Sequence, residues 1–147
     1  MAWVDFGLKA LALVGVAVAA LTFWRTAKVR RAEWLSSLHT KFYEGSGYKR
    51  IRRILDNAKT EPGFAQLRSA IESGQSTDVV EEFEDYLNFF EFVATLRNLG
   101  QLRSAEITMM FDYYLRLLRE HTFIVNYIRE YGFEGLNKLP DECAESK

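Results

Sequence analysis

The chain has 147 residues, of which 48% are hydrophobic, 14% aromatic and 27% charged, and only 2 are Pro. This length fits one domain of ordinary size, and the composition excludes a disordered or collagen-like chain. One Cys and 2 His exclude a disulfide framework and a Cys/His zinc cluster, so we expect no metal and no cofactor.

The net charge of -1 conceals opposite charges in two parts of the chain. Residues 25–53 hold nine Lys or Arg against two Glu, whereas residues 54–147 hold nine basic against seventeen acidic residues. A basic neck followed by an acidic body bears on partners and orientation. Because the neck lacks interleaved surface aromatics and the body is acidic, we expect no nucleic-acid partner.

The first 24 residues predict a membrane anchor. The uncharged run 10–24 is extended by residues 6–9, whose only charge, Lys9, can snorkel to the headgroups. Trp3 and Trp24 are 21 residues apart. That spacing is roughly 31 Å along a helix, close to the thickness of the hydrocarbon core, and it predicts two aromatic belts. The alternative is a buried hairpin helix of a soluble domain.

Four cations lie directly C-terminal to this span. They predict a single-pass protein of the cell inner membrane with its N-terminus outside, a cytoplasmic body and anionic lipid at the neck. The predicted interface cations are Arg25, Lys28, Arg30 and Arg31.

Small residues recur along one stripe of the span. Small side chains let helices approach closely in lipid, so the stripe predicts a packing face for a second copy or another membrane protein. The alternative is that such residues are common in any weakly hydrophobic span. The stripe consists of Ala12, Gly15, Ala19 and Thr22, and Thr26 extends it.

The remaining sequence predicts an all-α fold, because no segment alternates apolar and polar residues over a strand length. A single N-terminal transmembrane helix, residues 1–24, would continue into a basic juxtamembrane stalk helix, residues 25–45. A cytoplasmic helical bundle at 46–135 and a polar C-terminal tail at 136–147 would follow.

Within this plan, breaker residues define the helices. The first would end at residue 43, before Gly45-Ser46-Gly47, and helices at 48–58 and 64–72 would follow. A long helix would run from the N-cap Thr77 to Gly100, and another, capped by Ser104, would reach Leu118. Residues 123–131 would form its continuation or a final short helix.

A second basic cluster, residues 49–53, lies beyond the stalk. It could be a solvated helix face, pair with the chain's own acidic residues at 78–85, or meet an acidic partner.

The stretch Phe89-Phe90-Glu91-Phe92-Val93-Ala94-Thr95-Leu96-Arg97-Asn98-Leu99-Gly100 precedes a helix carrying Tyr113-Tyr114. Over roughly residues 29–128, the chain resembles the bacterial family known as domain of unknown function 4760. That resemblance implies a small helical protein, often with an N-terminal membrane segment, and implies no established activity.

Glu91, between two Phe residues, is the main functional candidate, with Tyr113 and Tyr114 as neighbours. Burial would raise the pKa of its carboxyl, whereas an Arg neighbour would lower it. A structural ion pair or N–H-capping network explains such a residue at least as well, and we favour it. The candidate ion-pair partners are Arg103, Arg116 and Arg119.

The spacing of residues in this chain matches neither a di-iron helical motif nor a nucleophile-elbow motif, so no catalytic residue is predicted. We therefore expect a membrane-anchored cytoplasmic interaction or assembly module, non-enzymatic, that associates with itself or with other membrane proteins. The alternative is a membrane-tethered enzyme or ligand sensor with a pocket around Glu91.

Overall fold

The computed structural model describes the backbone of residues 2–144 and the side chains of residues 15, 16, 18–141 and 143. Throughout that range the regular structure is helical, which confirms the all-α prediction for the described chain. The seven helices are α1 (Ala2–Glu44), α2 (Ser46–Asp56), α3 (Pro62–Ser73), α4 (Asp78–Asn98), α5 (Ser104–Glu120), α6 (Thr122–Glu130) and α7 (Glu134–Ala144).

Contacts along the chain define two compact units, residues 1–40 and residues 41–147. α1 passes from the predicted span into the predicted stalk without a break, as the sequence indicated. None of the helices, judged on the described residues, is both long and apolar enough to cross a membrane. Most of the predicted span, including Trp3 and Ala12, lies outside the described side chains.

The second unit is a helical bundle arranged around α4, which packs against α2, α3 and α7. The buried face of α4 recurs at helical spacing, as expected for an amphipathic helix in a core. Its buried residues are Val79, Val80, Phe83, Tyr86, Leu87, Phe89, Phe90, Val93 and Ala94.

Local breakers lie near the helix ends, but α2 and α3 each begin two residues before their predicted starts at 48 and 64. α1 ends at Glu44, immediately before Gly45, and Pro62 occupies the first turn of α3. Gly74 ends α3 with a φ of 66°, and Gly100 follows α4 with a φ of 69°. A left-handed φ is strained for any residue with a Cβ, so glycine fits both positions.

Two predicted caps differ from the observed ones. Thr77 occupies the N-cap position of α4, but its buried hydroxyl makes no hydrogen bond to the described chain. The N-cap of α5 is Arg103, not Ser104, and the Glu106 carboxylate accepts a hydrogen bond from the Arg103 N–H at 2.9 Å. The Ser104 hydroxyl instead accepts from Arg97 Nε at 3.0 Å.

The C-terminal segment differs most from its predicted structure. The predicted polar tail at 136–147 was wrong as far as residue 144, because Glu134–Ala144 forms α7 with Pro140 inside it. Leu136, Leu139 and Cys143 are buried. They lie on one face at spacings of three and four residues, so a short amphipathic helix had been taken for a polar tail.

Candidate functional site

The carboxylate of Glu91 lies at the N-terminus of α7. Its Oε1 accepts a hydrogen bond from the Gly135 N–H at 3.0 Å, and its Oε2 accepts one from the Leu136 N–H at 2.7 Å. The first N–H groups of a helix have no partner within the helix, and negative charge is favoured there. Glu91 of α4 therefore caps α7 from 44 residues away in sequence.

The backbone at Gly135 approaches this carboxylate closely. A Cβ at position 135 would lie 2.8 Å from Glu91 Oε1 and 3.0 Å from the Ala94 Cβ. Both distances are shorter than ordinary van der Waals contact. The cap geometry thus depends on the missing side chain at Gly135.

The three predicted arginine partners of Glu91 are placed elsewhere. The ion pairs of the described residues join Arg103 to Glu106 and Arg116 to Asp112. They also join Arg119 to another carboxylate, discussed below. Backbone N–H groups, and not guanidinium groups, are therefore the observed partners of Glu91.

A second contact holds the other end of α7. Arg119 of α5 donates two hydrogen bonds to the Asp141 carboxylate, at 2.6 and 2.7 Å. This fork-to-carboxylate geometry is the strongest form of ion pair, although its exposure to solvent weakens it. Arg119 lowers the pKa of Asp141 through this hydrogen bond.

Tyr113 and Tyr114 lie at the edge of an aromatic cluster centred on Phe42, near the C-terminal end of α1. Ring centroids around Phe42 lie 5.0 to 6.1 Å away, within the range of favourable aromatic pairs. The surrounding rings are Tyr43, Tyr48, Tyr86, Phe89, Phe90, Phe111 and Tyr114.

The two tyrosines differ in environment. Tyr113 is half exposed, and its hydrogen bond to Asp56 raises the pKa of its phenol. Tyr114 is partly buried, and burial raises its pKa. Glu91 makes its hydrogen bonds at α7, whereas both tyrosines contact the Phe42 cluster. The structure describes no contact that joins the three predicted residues into one site.

Arg52 is a buried cation that the sequence pattern did not distinguish from its basic neighbours. It is only 7% exposed, and its guanidinium donates to the main-chain carbonyl of Phe42 and, at 2.7 Å, to that of Tyr43. Its Cζ also lies 4.9 Å from the Phe42 ring centroid. A cation that binds carbonyls in the last turn of a helix satisfies groups that otherwise lack partners.

The remaining basic residues of α2 mostly have partners within the bundle. Arg50 pairs with Glu82 of α4 at 2.9 Å, and Arg53 pairs with Glu61 at 3.5 Å. Of the alternatives for residues 49–53, pairing with the chain's own acidic helix is confirmed for Arg50. Exposed pairs of this kind contribute little to stability.

The described part of α1 carries a row of exposed apolar side chains. Val16, Val18, Leu21, Phe23 and Trp24 are 57 to 72% exposed. Exposed cations follow, and Lys28 Nζ lies 5.6 Å from the Trp24 ring. The predicted interface residues described here are Trp24, Arg25, Lys28, Arg30 and Arg31, and Arg31 is half-buried while the others are exposed.

The predicted small-residue stripe is also exposed where it is described. Gly15, Ala19 and Thr22 are exposed, and a Cβ at Gly15 would meet no atom within 4 Å. The Thr22 hydroxyl donates to the Val18 carbonyl at 2.8 Å, which satisfies it within the helix. Close approach of another backbone at this stripe is sterically open.

Two clefts open between helices of the bundle. One, of about 600 Å³, lies between α3 and α6 and is lined by Arg68, Glu72, Tyr127 and Tyr131 among others. The other, of about 360 Å³, lies between α5, α6 and α7. Among the described residues, no group of His, Cys, Asp or Glu side chains could hold a metal ion.

Comparison with models of known families, with curated proteins and with solved structures gives no match to this chain. The resemblance of residues 29–128 to domain of unknown function 4760 therefore stays a prediction.

Proposed function

We propose that this chain is a membrane-anchored helical interaction module. Residues 1–24 would be a single-pass anchor in a bacterial inner membrane with the N-terminus outside, and residues 25–45 a juxtamembrane stalk. The bundle that follows would lie in the cytoplasm and associate with itself or with other membrane proteins. No reaction is assigned to it.

The observation that carries this proposal is the exposed apolar row of α1. Five apolar side chains within nine residues, Val16 to Trp24, are more than half exposed. Single exposed apolar residues are ordinary, but a contiguous exposed set marks a surface that meets lipid or protein. The apolar run of the sequence begins earlier, at Phe6, which lengthens this surface toward the hydrocarbon thickness.

The cations that follow the row support a lipid partner at the neck. Trp24 begins this boundary, and Arg25, Lys28 and Arg30 are exposed. Each basic residue near an anionic leaflet contributes about 1 kcal/mol of attraction. An aromatic residue followed by cations is the arrangement expected on the cytoplasmic side of a span.

The contacts of Glu91 favour a structural role over the alternative of a pocket built around it. Both carboxylate oxygens accept hydrogen bonds from α7, and the two clefts described above are lined by other residues. Each oxygen of the Glu91 carboxylate thus already has a donor within the bundle.

The proposal is tested by placing a charge in the apolar row. Val16→Lys should shift the full chain from the membrane pellet toward the supernatant, because Val16 lies more than two turns from Trp24 and a charge near the centre of a span costs about 2.5–3.5 kcal/mol. Met109→Lys is the matched control: Met109 is 79% exposed on α5, so the same change should leave the distribution unaltered.

Orientation is tested separately with a reporter fused after residue 147. A reporter active only in the cytoplasm should give signal, whereas one active only outside should not. Equal membrane binding of the Val16 variant and the parent chain, or a reporter outside, would contradict the proposal.

A further inference from the structure

Two adjacent methionines of α5 differ in their exposure to solvent. Met109 is 79% exposed, whereas Met110 is half-buried. Neighbouring residues point to different sides of a helix, because each residue turns it by about 100°. Ile107 and Phe111 are fully buried and mark the core side of α5. Met109 therefore belongs to the surface of the bundle, and Met110 lies at the edge of the core.

Met110 is held beside the C-terminal end of α1. Its main-chain carbonyl accepts a hydrogen bond from the Tyr43 hydroxyl at 3.1 Å. The next residue, Phe111, packs on Phe42 with a distance of 5.2 Å between ring centroids. A small solute therefore reaches the side chain of Met110 less readily than that of Met109.

A thioether sulfur is a soft, polarizable nucleophile that hydrogen peroxide converts to a sulfoxide. We propose that Met109 is the site at which peroxide modifies the folded bundle. A sulfur lone pair attacks one peroxide oxygen, and the O–O bond breaks as the S–O bond forms. The hydroxide that leaves takes the proton of the transferred oxygen and becomes water. The thioether loses two electrons, and the peroxide is reduced.

The fold accommodates this added oxygen at Met109. A sulfoxide is polar, so it disturbs an apolar core, but on a mostly exposed side chain its oxygen stays hydrated. On Met110 the same oxygen would lie in a half-buried place next to the core residue Phe111. Oxidation at Met109 thus changes the surface of the bundle and leaves its core intact.

The test treats the purified full chain, in peroxide-free nonionic detergent, with hydrogen peroxide and follows each methionine by peptide mass spectrometry. In the folded chain, Met109 should oxidise at least about twofold faster than Met110, since its side chain is the more exposed. In concentrated urea the two rates should become equal, because the residues are neighbours in sequence and share the same intrinsic chemistry.

Two leucine variants separate the methionines. Met109→Leu should remove the fast reaction and leave the slow oxidation of Met110 as it was. Met110→Leu is the matched control, and its Met109 should react at the rate of the parent chain. Leucine is close to methionine in volume and helix propensity, so both variants should fold, and circular dichroism checks this.

Three results would overturn the inference. Oxidation of Met110 at an equal or higher rate in the folded chain would contradict the assignment to Met109. A rate ratio that is the same in urea would show that the fold does not cause it. Loss of the helical circular dichroism signal in step with Met109 oxidation would contradict an intact core. None of these measurements uses a membrane, so they are independent of the anchor.

Discussion

Single carboxylates and guanidinium groups join different helices of the bundle. Glu91 caps α7, Arg52 caps the end of α1, and the Tyr127 hydroxyl donates a hydrogen bond to Glu84. Each contact satisfies polar groups that folding would otherwise bury without a partner. These residues therefore matter more to the stability of the bundle than their charge alone indicates.

Glu91→Gln should lower the free energy of unfolding by about 1–2 kcal/mol, because the amide keeps one acceptor oxygen but loses the charge at the helix N-terminus. Urea unfolding followed by circular dichroism measures this change. Asp85→Asn is the control, since Asp85 is an exposed carboxylate of the same helix, and it should change stability by less than about 0.5 kcal/mol. Equal effects of the two substitutions would exclude the cap.

Gly135→Ala should destabilise the bundle by about 1–3 kcal/mol, since the new Cβ would clash with the Glu91 carboxylate and the Ala94 methyl. Gly47→Ala is the matched control. Gly47 lies within α2 with open space around its Cα, so alanine should be neutral or stabilise by up to about 1 kcal/mol. Differential scanning calorimetry measures the melting temperature of each variant. Equal melting temperatures would contradict the close approach of the Gly135 backbone to Glu91.

At the scale of elements, α7 is a helix that the local sequence did not predict. The helix ends at Gly45, Pro62, Gly74 and Gly100 could be predicted because each breaker acts within a turn. α7 could not, because its N-terminal cap is a side chain of α4 and only three of its described side chains are buried.

The contact of Arg52 with the C-terminal end of α1 also could not be predicted from local sequence. Arg52 belongs to a run of basic residues that indicates a solvated face, and only the packing of α2 shows that this one is buried. The buried apolar residues of α2 are Ile51, Ile54 and Leu55, which recur at helical spacing on one face. The position of Arg52 at its edge could not be distinguished from that of Arg53 without the structure.

Arg52→Met should cost about 2–4 kcal/mol of stability, because the Phe42 and Tyr43 carbonyls would lose their donors in a buried place. Arg53→Met is the control, as Arg53 is mostly exposed and pairs with Glu61 at 3.5 Å. It should change the urea midpoint little, since exposed ion pairs contribute about 0.2–1 kcal/mol. A larger loss for Arg53 than for Arg52 would contradict the assignment.

The contact between α4 and α6 should make the bundle sensitive to alkali. Burial and the hydrogen bond to Glu84 raise the pKa of Tyr127. A group whose pKa is raised on folding stabilises fully below its unfolded value, about 10 for tyrosine, and loses that contribution as the pH rises above it. Stability should therefore fall above about pH 10.

Tyr127→Phe should reduce this alkaline fall, because the ionising phenol is removed. Tyr131→Phe, on the stacked and exposed neighbouring ring, is the comparison variant and should reduce the slope less, because Tyr131 is the smallest of the causes that raise the pKa of Tyr127. Urea midpoints measured over a series of pH values test this, and an undiminished slope in the Tyr127 variant would refute it.

On the scale of the whole molecule, the two compact units differ in the surfaces that they expose. The bundle buries large apolar residues from α2 to α7, whereas the segment Val16 to Trp24 of α1 exposes them. The charges divide in the same order along the chain, basic first and acidic afterwards. We propose that the first unit meets lipid and that the second meets partners in the cytoplasm.

The most direct test of the membrane anchor is extraction of cell membranes with alkaline carbonate, which strips peripheral proteins but not spanning ones. The account predicts that the full chain stays in the pellet after high-speed centrifugation and is released only by detergent. It also predicts that a chain lacking residues 2–24 is soluble. Recovery of the full chain in the carbonate supernatant would contradict the anchor.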